Sequence, residues 1–184
     1  LFDAVAAALG ICFEEQTYEG QAALSLELLA TPASMARASA AGEPRYPISV
    51  RTQPDARGEL AVAQLDASEL WRALLTDLAN AVDASLIAAR FHVGLAAGLA
   101  ALCEHVSHQR ERAFRPLQRQ VALSGGCLQN AWLHSRLEAE LSARGFHVLS
   151  HAAIPPNDGG IALGQALISL ARAAKGTGTH HQLL

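Results

Sequence analysis

The chain has 184 residues, 51% of them hydrophobic and 17% charged, with a formal net charge of −3. That allows one sizeable core and shows none of the clustered basic charge that nucleic acid requires. Cys12, Cys103 and Cys127 are too few and too far apart for a disulfide framework or a CxxC metal site, so a reducing cytoplasmic setting is expected. Apolar stretches are interrupted by His, Arg, Asp or Gly before about 18 residues, and the opening residues lack the pattern of a secretory leader, so no membrane partner is expected.

The chain opens at Leu1-Phe2-Asp3, already inside a helical pattern and without Met, which reads as a piece of a longer protein. Apolar residues and alanines from Phe2 to Leu9 predict a short helix stopped by Gly10. Ala23, Leu26 and Leu29 or Ala30 form one face of a second helix over about 19–29, closed by Pro32. The Ala-, Ser-, Gly- and Pro-rich stretch 32–44 is expected to be a surface loop. Period-two alternation over 47–51 and 59–65, across a turn with Pro54, Asp55 and Gly58, predicts a strand pair. Ser68 is the expected N-cap of an amphipathic helix carrying Trp71, Leu74, Leu75, Leu78 and Val82, and a longer helix follows with Ile87, Phe91, Leu95, Leu99 and Leu102.

Gln120 to Ser124 then reads as a short strand running into Gly125 and Gly126. Leu133, Leu137 and Leu141 mark a helix ending at Gly145, and 146–150 reads as a second strand. A strand, a helix and a strand in about 30 residues form a right-handed βαβ unit. A last helix from Gly159 or Gly160 to about Ala174 precedes a mobile tail over 176–184. The class is α/β, with a mixed sheet flanked by helices.

Two glycine motifs carry the chemistry. A strand that ends in Ser124-Gly125-Gly126 and turns into a helix brings backbone N–H groups to a helix N-terminus, where phosphate is favoured. Asn130 follows closely enough to offer its amide to a ribose hydroxyl or a base edge, whereas the plainer alternative is a tight turn with no ligand. In Asn157-Asp158-Gly159-Gly160, Asp158 is either the helix N-cap or, if the glycines leave its carboxylate reachable, a ligand for a hard cation such as nucleotide-bound magnesium.

The run 121–130 together with 155–165 resembles the C-terminal region of the HypF carbamoyltransferases, which mature [NiFe]-hydrogenases. Leu1 to Ala6, Tyr18 to Ala23 and Ala88-Ala89-Arg90-Phe91-His92 resemble further signatures of that family in the same order. The resemblance implies an actin-like ATPase (ASKHA) fold, similar to the Kae1-like tRNA threonylcarbamoyladenosine transferases, with 1–175 as the C-terminal lobe of the carbamoyltransferase domain. It implies that ATP and carbamoyl phosphate react through carbamoyladenylate, and that the carbamoyl group passes to the C-terminal cysteine of a HypE-like acceptor protein. Carried over residue by residue, Asp3 contacts the ribose, Gly20 lines the nucleotide, and Gly125, Gly126 and Asn130 hold the adenosine side. Asp158 ligates a divalent metal (zinc, iron or magnesium), whose other ligands include a His-x-x-x-His pair absent from this chain. No catalytic nucleophile is expected here, and the fragment alone is expected to be inactive.

The remaining polar residues have plainer readings. His105, His108 and His180-His181 are expected in solvent, and His92 as a buried, hydrogen-bonded histidine that either only supports the core or assists the site. Cys127, at a helix start, is either a reactive thiol or a small filler of the turn. Gly164, with Gln165 beside it, suits close helix packing better than a ligand. Two rival functions stay open: an O-carbamoyltransferase with a small hydroxylated acceptor, and a non-catalytic interaction module that keeps the nucleotide fold.

Overall fold

The computed structural model describes residues 1–54, 61–113 and 119–177. The chain forms two compact units, one of Leu1–Val121 with Asn130–Val148, the other of Ala122–Gln129 with Leu149–Leu184.

The first unit is organised around one long helix. α1 (Phe2–Ala8), α2 (Gln21–Leu29) and α3 (Pro32–Ser39) lead to β1 (Ser49–Pro54) and β2 (Ala61–Asp66), then α4 (Ser68–Ala79) and α5 (Ala84–Ala113). β1 and β2 pair antiparallel from Ser49 opposite Asp66 to Pro54 opposite Ala61, as the alternation predicts; the turn expected between them at Asp55 and Gly58 lies outside the described residues. α5 packs against α2, α3, α4, α6 (Ala131–Ala143) and both of these strands. It is buried on every side from Leu86 to Ala96, as an all-round apolar helix must be.

Two expectations are corrected here. The stretch 32–44 is not simply a loop, because its first eight residues form α3. Thr31 Oγ1 accepts from Ser34 N–H (3.1 Å), Ser34 Oγ accepts from Thr31 N–H (3.0 Å), and Pro32 occupies the first turn. A capping box and an N-terminal proline start this helix, and burial of Met35 and Ala38 holds it, although the composition reads as loop. On α4, the buried residues are Leu70 and Leu74, while Leu75 of the expected apolar face is exposed. Ser68 is the first helical residue rather than the cap, and Asp66 Oδ1 accepts from both its N–H (2.9 Å) and its hydroxyl (2.6 Å).

α5 also refines the membrane reading. Ala84–Gln109 reaches a mean hydropathy of 1.8 and is long and apolar enough to cross a membrane by composition, but 72% of that window is buried inside the structure. Its apolarity is accounted for by the core.

β3 (Gln120–Ala122) pairs with β4 (His147–Leu149). His147 N–H donates to Arg119 O (2.7 Å) and Leu123 N–H to Leu149 O (2.8 Å). The partners advance together, so the two strands are parallel, with α6 between them in the chain. Leu133, Leu137 and Leu141 are the buried residues of α6, and Gly145 adopts φ +77, the left-handed turn expected after a helix. The fold is α/β, with small sheets flanked by helices.

In the second unit, α7 (Ile161–Thr177) follows a 3-10 turn at Asp158–Gly160. The helix extends past the predicted end near Ala174, and the expected tail beyond 177 lies outside the described residues. Ile161, Leu163, Leu167, Ile168 and Leu170 are exposed along it. A Cβ added at Gly164 would meet nothing within 4 Å, so close packing does not account for that glycine.

Candidate functional site

In the first unit, Asp3 is exposed in the first turn of α1. Its neighbour Phe2 stacks edge-on against Phe91 (5.0 Å) and His92 (5.8 Å) of α5, which fixes this end of α1 to the core. Gly20 is exposed at the N-cap of α2 with φ +82, and a Cβ there would meet nothing. Backbone conformation, not crowding, therefore demands glycine at this position.

Asn130 is buried at the N-cap of α6. Its Oδ1 accepts from Leu133 N–H (2.8 Å), and its Nδ2 lies 2.9 Å from His92 Nε2. Glu27 Oε1, on α2, accepts from Ala131 N–H (2.7 Å), and Trp132 Nε1 donates to Ala30 O (3.0 Å). The start of α6 is therefore capped twice by protein groups, one of them a carboxylate. A phosphate there would face a like charge, so the expected phosphate cradle does not form at this helix. Sequence reasoning missed Glu27, for no spacing signal links two residues more than a hundred positions apart.

His92 has no exposed surface. Burial pushes its pKa below the ordinary histidine value, with the hydrogen bond to Ala88 O opposing. The unfolded chain therefore takes up a proton near pH 6.5 that the fold does not. The stability this contributes is fully present above that pH and is lost as pH falls toward the lowered folded value, with a slope of at most about 1.4 kcal/mol per pH unit. Urea midpoints taken from pH 7 to 5 are expected to fall more steeply for the native chain than for His92→Phe; parallel curves would show that His92 titrates alike in both states.

In the second unit, Gly125 adopts φ +110 and its N–H donates to Pro156 O (2.6 Å). That bond ties the first glycine motif to the loop preceding the second. The chain then enters a 3-10 turn, Gly126–Gln129, rather than a long helix directly. A Cβ at Gly125 or Gly126 would meet nothing within 4 Å, so the backbone is open to an approaching group. His151 Nε2 lies 3.2 Å from Ser124 Oγ. Cys127 is a free, exposed thiol, so it fills no packed turn.

The second motif is resolved by its cap. Asn157, not Asp158, caps the turn, with Oδ1 accepting from Gly159 N–H (3.0 Å). Asp158 is exposed, and no hydrogen bond or ion pair engages its carboxylate among the described residues. The glycines after it have a different role from the one expected. A Cβ at Gly159 would lie 3.1 Å from Pro155 Cγ, and one at Gly160 would lie 2.9 Å from Pro155 O. They let the loop fold onto itself.

Among the described residues no group of three or more His, Cys, Asp or Glu is placed to hold a metal ion. Asp158 is a lone carboxylate, and these residues do not fit a self-contained metal centre. Of the histidines expected in solvent, His105 instead contacts Thr52 Oγ1 (3.0 Å), His108 is exposed, and His180-His181 lie outside the described residues.

The model of the carbamoyltransferase Kae1-like domain, second subdomain, matches residues 1–165. The chain is 35% identical over 173 residues to the carbamoyltransferase HypF of Rhodobacter capsulatus, covering 94% of this chain and 19% of that protein. It is 36% identical over 188 residues to a HypF homolog of Cupriavidus necator, covering 98% and 42%. A full-length HypF solved in a phosphate- and nucleotide-bound form superposes with a TM-score of 0.71 at 33% identity, over 91% of this chain and 19% of that one. HypF of T. kodakarensis, at 22% identity and a TM-score of 0.60 over 95% of this chain and 20% of that one, shares the fold. The chain thus spans about a fifth to two fifths of the length of these relatives.

Proposed function

The chain belongs to the HypF carbamoyltransferase family, as the second subdomain of its Kae1-like domain, and from that premise we propose that it supplies nucleotide contacts to an ATP-dependent carbamoyl transfer. The likeness over 91% of the chain to a HypF solved with phosphate and nucleotide carries this reading. In the proposed reaction, carbamate released from carbamoyl phosphate attacks the α-phosphorus of ATP and pyrophosphate leaves. A thiolate on a HypE-like acceptor then attacks the carbamoyl carbon, and AMP departs. Adenylation supplies the leaving group, and a thiol acceptor suits a reducing cytoplasm. The lobe assignment, 1–175, belongs to the same proposal.

Each site residue keeps its proposed part. Asp3 and Gly20 serve the ribose and the nucleotide, and Gly125, Gly126 and Asn130 serve the adenosine end. The Glu27 cap supports this for Asn130, because an anionic start of α6 suits a neutral nucleoside better than phosphate. Asp158 supplies one carboxylate to a divalent metal whose other ligands this chain does not provide.

The test uses the complete gene product. Asp158→Ala is expected to lower metal content and to slow carbamoyl transfer by about a hundredfold or more. Circular dichroism and melting should stay unchanged, because the residue is exposed and engages nothing. Transfer at the native rate by this variant would remove Asp158 from the reaction.

A further inference from the structure

His92 lies in the middle of α5, fully buried between Phe2 and Phe91. Nothing in that packing asks for a polar ring, and burying one costs free energy unless its nitrogens are satisfied. Both are. Nδ1 lies 2.7 Å from Ala88 O, and a carbonyl oxygen only accepts, so Nδ1 carries the proton and donates. In the neutral ring Nε2 then has a lone pair, and Asn130 Nδ2 donates to it at 2.9 Å.

This tautomer fixes the orientation of the Asn130 amide. Turned over, the amide would set Oδ1 against the Nε2 lone pair and its NH2 group against Leu133 N–H, losing both hydrogen bonds. With one Nδ2 hydrogen given to His92 and Oδ1 receiving Leu133 N–H, the second Nδ2 hydrogen is the donor left for a ligand. Asn130 follows the turn Gly126–Gln129 directly in the chain, so the same two bonds also fix where that turn joins α6.

We propose that His92 is a positioning residue of the nucleotide site: from the core helix it sets the amide of Asn130 and anchors the junction between the glycine turn and α6. The proposal rests on the nucleotide reading above. Burial favours the neutral ring that this arrangement needs.

The experiment measures ADP affinity by calorimetry on the complete gene product, with hydrogen exchange at the first turn of α6. His92→Phe keeps a ring but loses the acceptor; His92→Gln restores a side-chain oxygen that can accept from Asn130. His92→Phe is expected to weaken ADP binding about tenfold, His92→Gln to recover most of that loss, and Asn130→Ala to match His92→Phe. The double variant should bind no worse than Asn130→Ala alone. His92→Phe should also speed exchange at Leu133 and His134 without nucleotide present.

A purely structural histidine would lower the melting temperature of His92→Phe while leaving ADP affinity within twofold, and that result overturns the proposal. Additive losses in the double variant overturn it as well. If His92→Phe does not fold, His92→Gln decides: native affinity supports the acceptor role, and a loss equal to that of Asn130→Ala defeats it. A native protein that binds no ADP defeats the nucleotide reading and this proposal with it, whereas native binding unmoved by His92→Phe defeats this proposal alone.

Discussion

Replacing Arg90 with alanine is expected to destabilise the chain by about 3 kcal/mol, the scale of breaking a buried ion pair from one side. The guanidinium, only 7% exposed, meets Asp77 Oδ2 at 2.6 Å through NH1 and Glu43 Oε2 at 3.3 Å through NH2. Tyr46, itself buried, donates its hydroxyl to the same Asp77 oxygen at 2.6 Å. Burial and the Asp77 carboxylate hold the Tyr46 phenol far above its ordinary pKa, so it stays protonated and remains a donor. Without Arg90, Asp77 and Glu43 would face each other with no cation between them. The network is not ideal even when intact, since Arg90 Nε is buried without a partner. Replacing the whole network with apolar groups would therefore cost much less than removing one member. Urea unfolding of the 184-residue chain checks this. Adding Asp77→Ala to Arg90→Ala should cost less than the sum of the two singly, and Arg90→Ala within about 1 kcal/mol of native would show that the pair is hydrated in solution.

This network and the His92–Asn130 bond explain which parts of the structure could be read from sequence. α1, α2, α5, α6 and the strand pair declare themselves through period and turn residues. For α6, the three leucines read from spacing are the three that are buried. The missed helix, α3, is set by a capping box and a proline inside a composition that reads as loop. The run Ala88-Ala89-Arg90-Phe91-His92 was recognisable only as a family signature. Its physical content is two buried polar side chains whose partners, Asp77, Glu43 and Asn130, lie elsewhere in the chain. Polar residues inside an apolar helix are the sequence signal for such a device, but its partners cannot be found by periodicity. The glycine motifs show the converse. The sequence treated Gly125-Gly126 and Gly159-Gly160 as alike, yet the first pair faces open space and the second is crowded by Pro155.

Gly94→Ala is expected to be at least as damaging as the loss of Arg90. Helix propensity favours alanine over glycine by about 1 kcal/mol in a helix interior, so on α5 alone the change would stabilise. The neighbouring segment reverses the sign. A Cβ at Gly94 would overlap the backbone carbonyl oxygen of Tyr46 and lie 3.2 Å from both its carbonyl carbon and its Cβ. The obstacle is main chain, which cannot rotate aside. Tyr46 is also held at its other end by Asp77, so moving its backbone strains the hydrogen bond that the Arg90 network depends on. Overpacking of this kind typically costs about 1–3 kcal/mol, and disturbance of the network adds to it, for an expected total of about 3 kcal/mol or more. Gly98→Ala should be milder, because its Cβ would meet the Ile48 side chain, at 2.8 Å from Cβ and 3.0 Å from Cγ2, rather than a carbonyl. Gly164→Ala on α7 is the control: with nothing within 4 Å, it should show only the propensity gain. Urea midpoints should therefore rank Gly164→Ala above native, native above Gly98→Ala, and Gly98→Ala above Gly94→Ala. If Gly94→Ala matched Gly164→Ala, the close approach of Tyr46 to α5 would be refuted. If Tyr46→Phe abolished part of the Gly94→Ala penalty, the strain would be shown to pass through the Tyr46–Asp77 hydrogen bond.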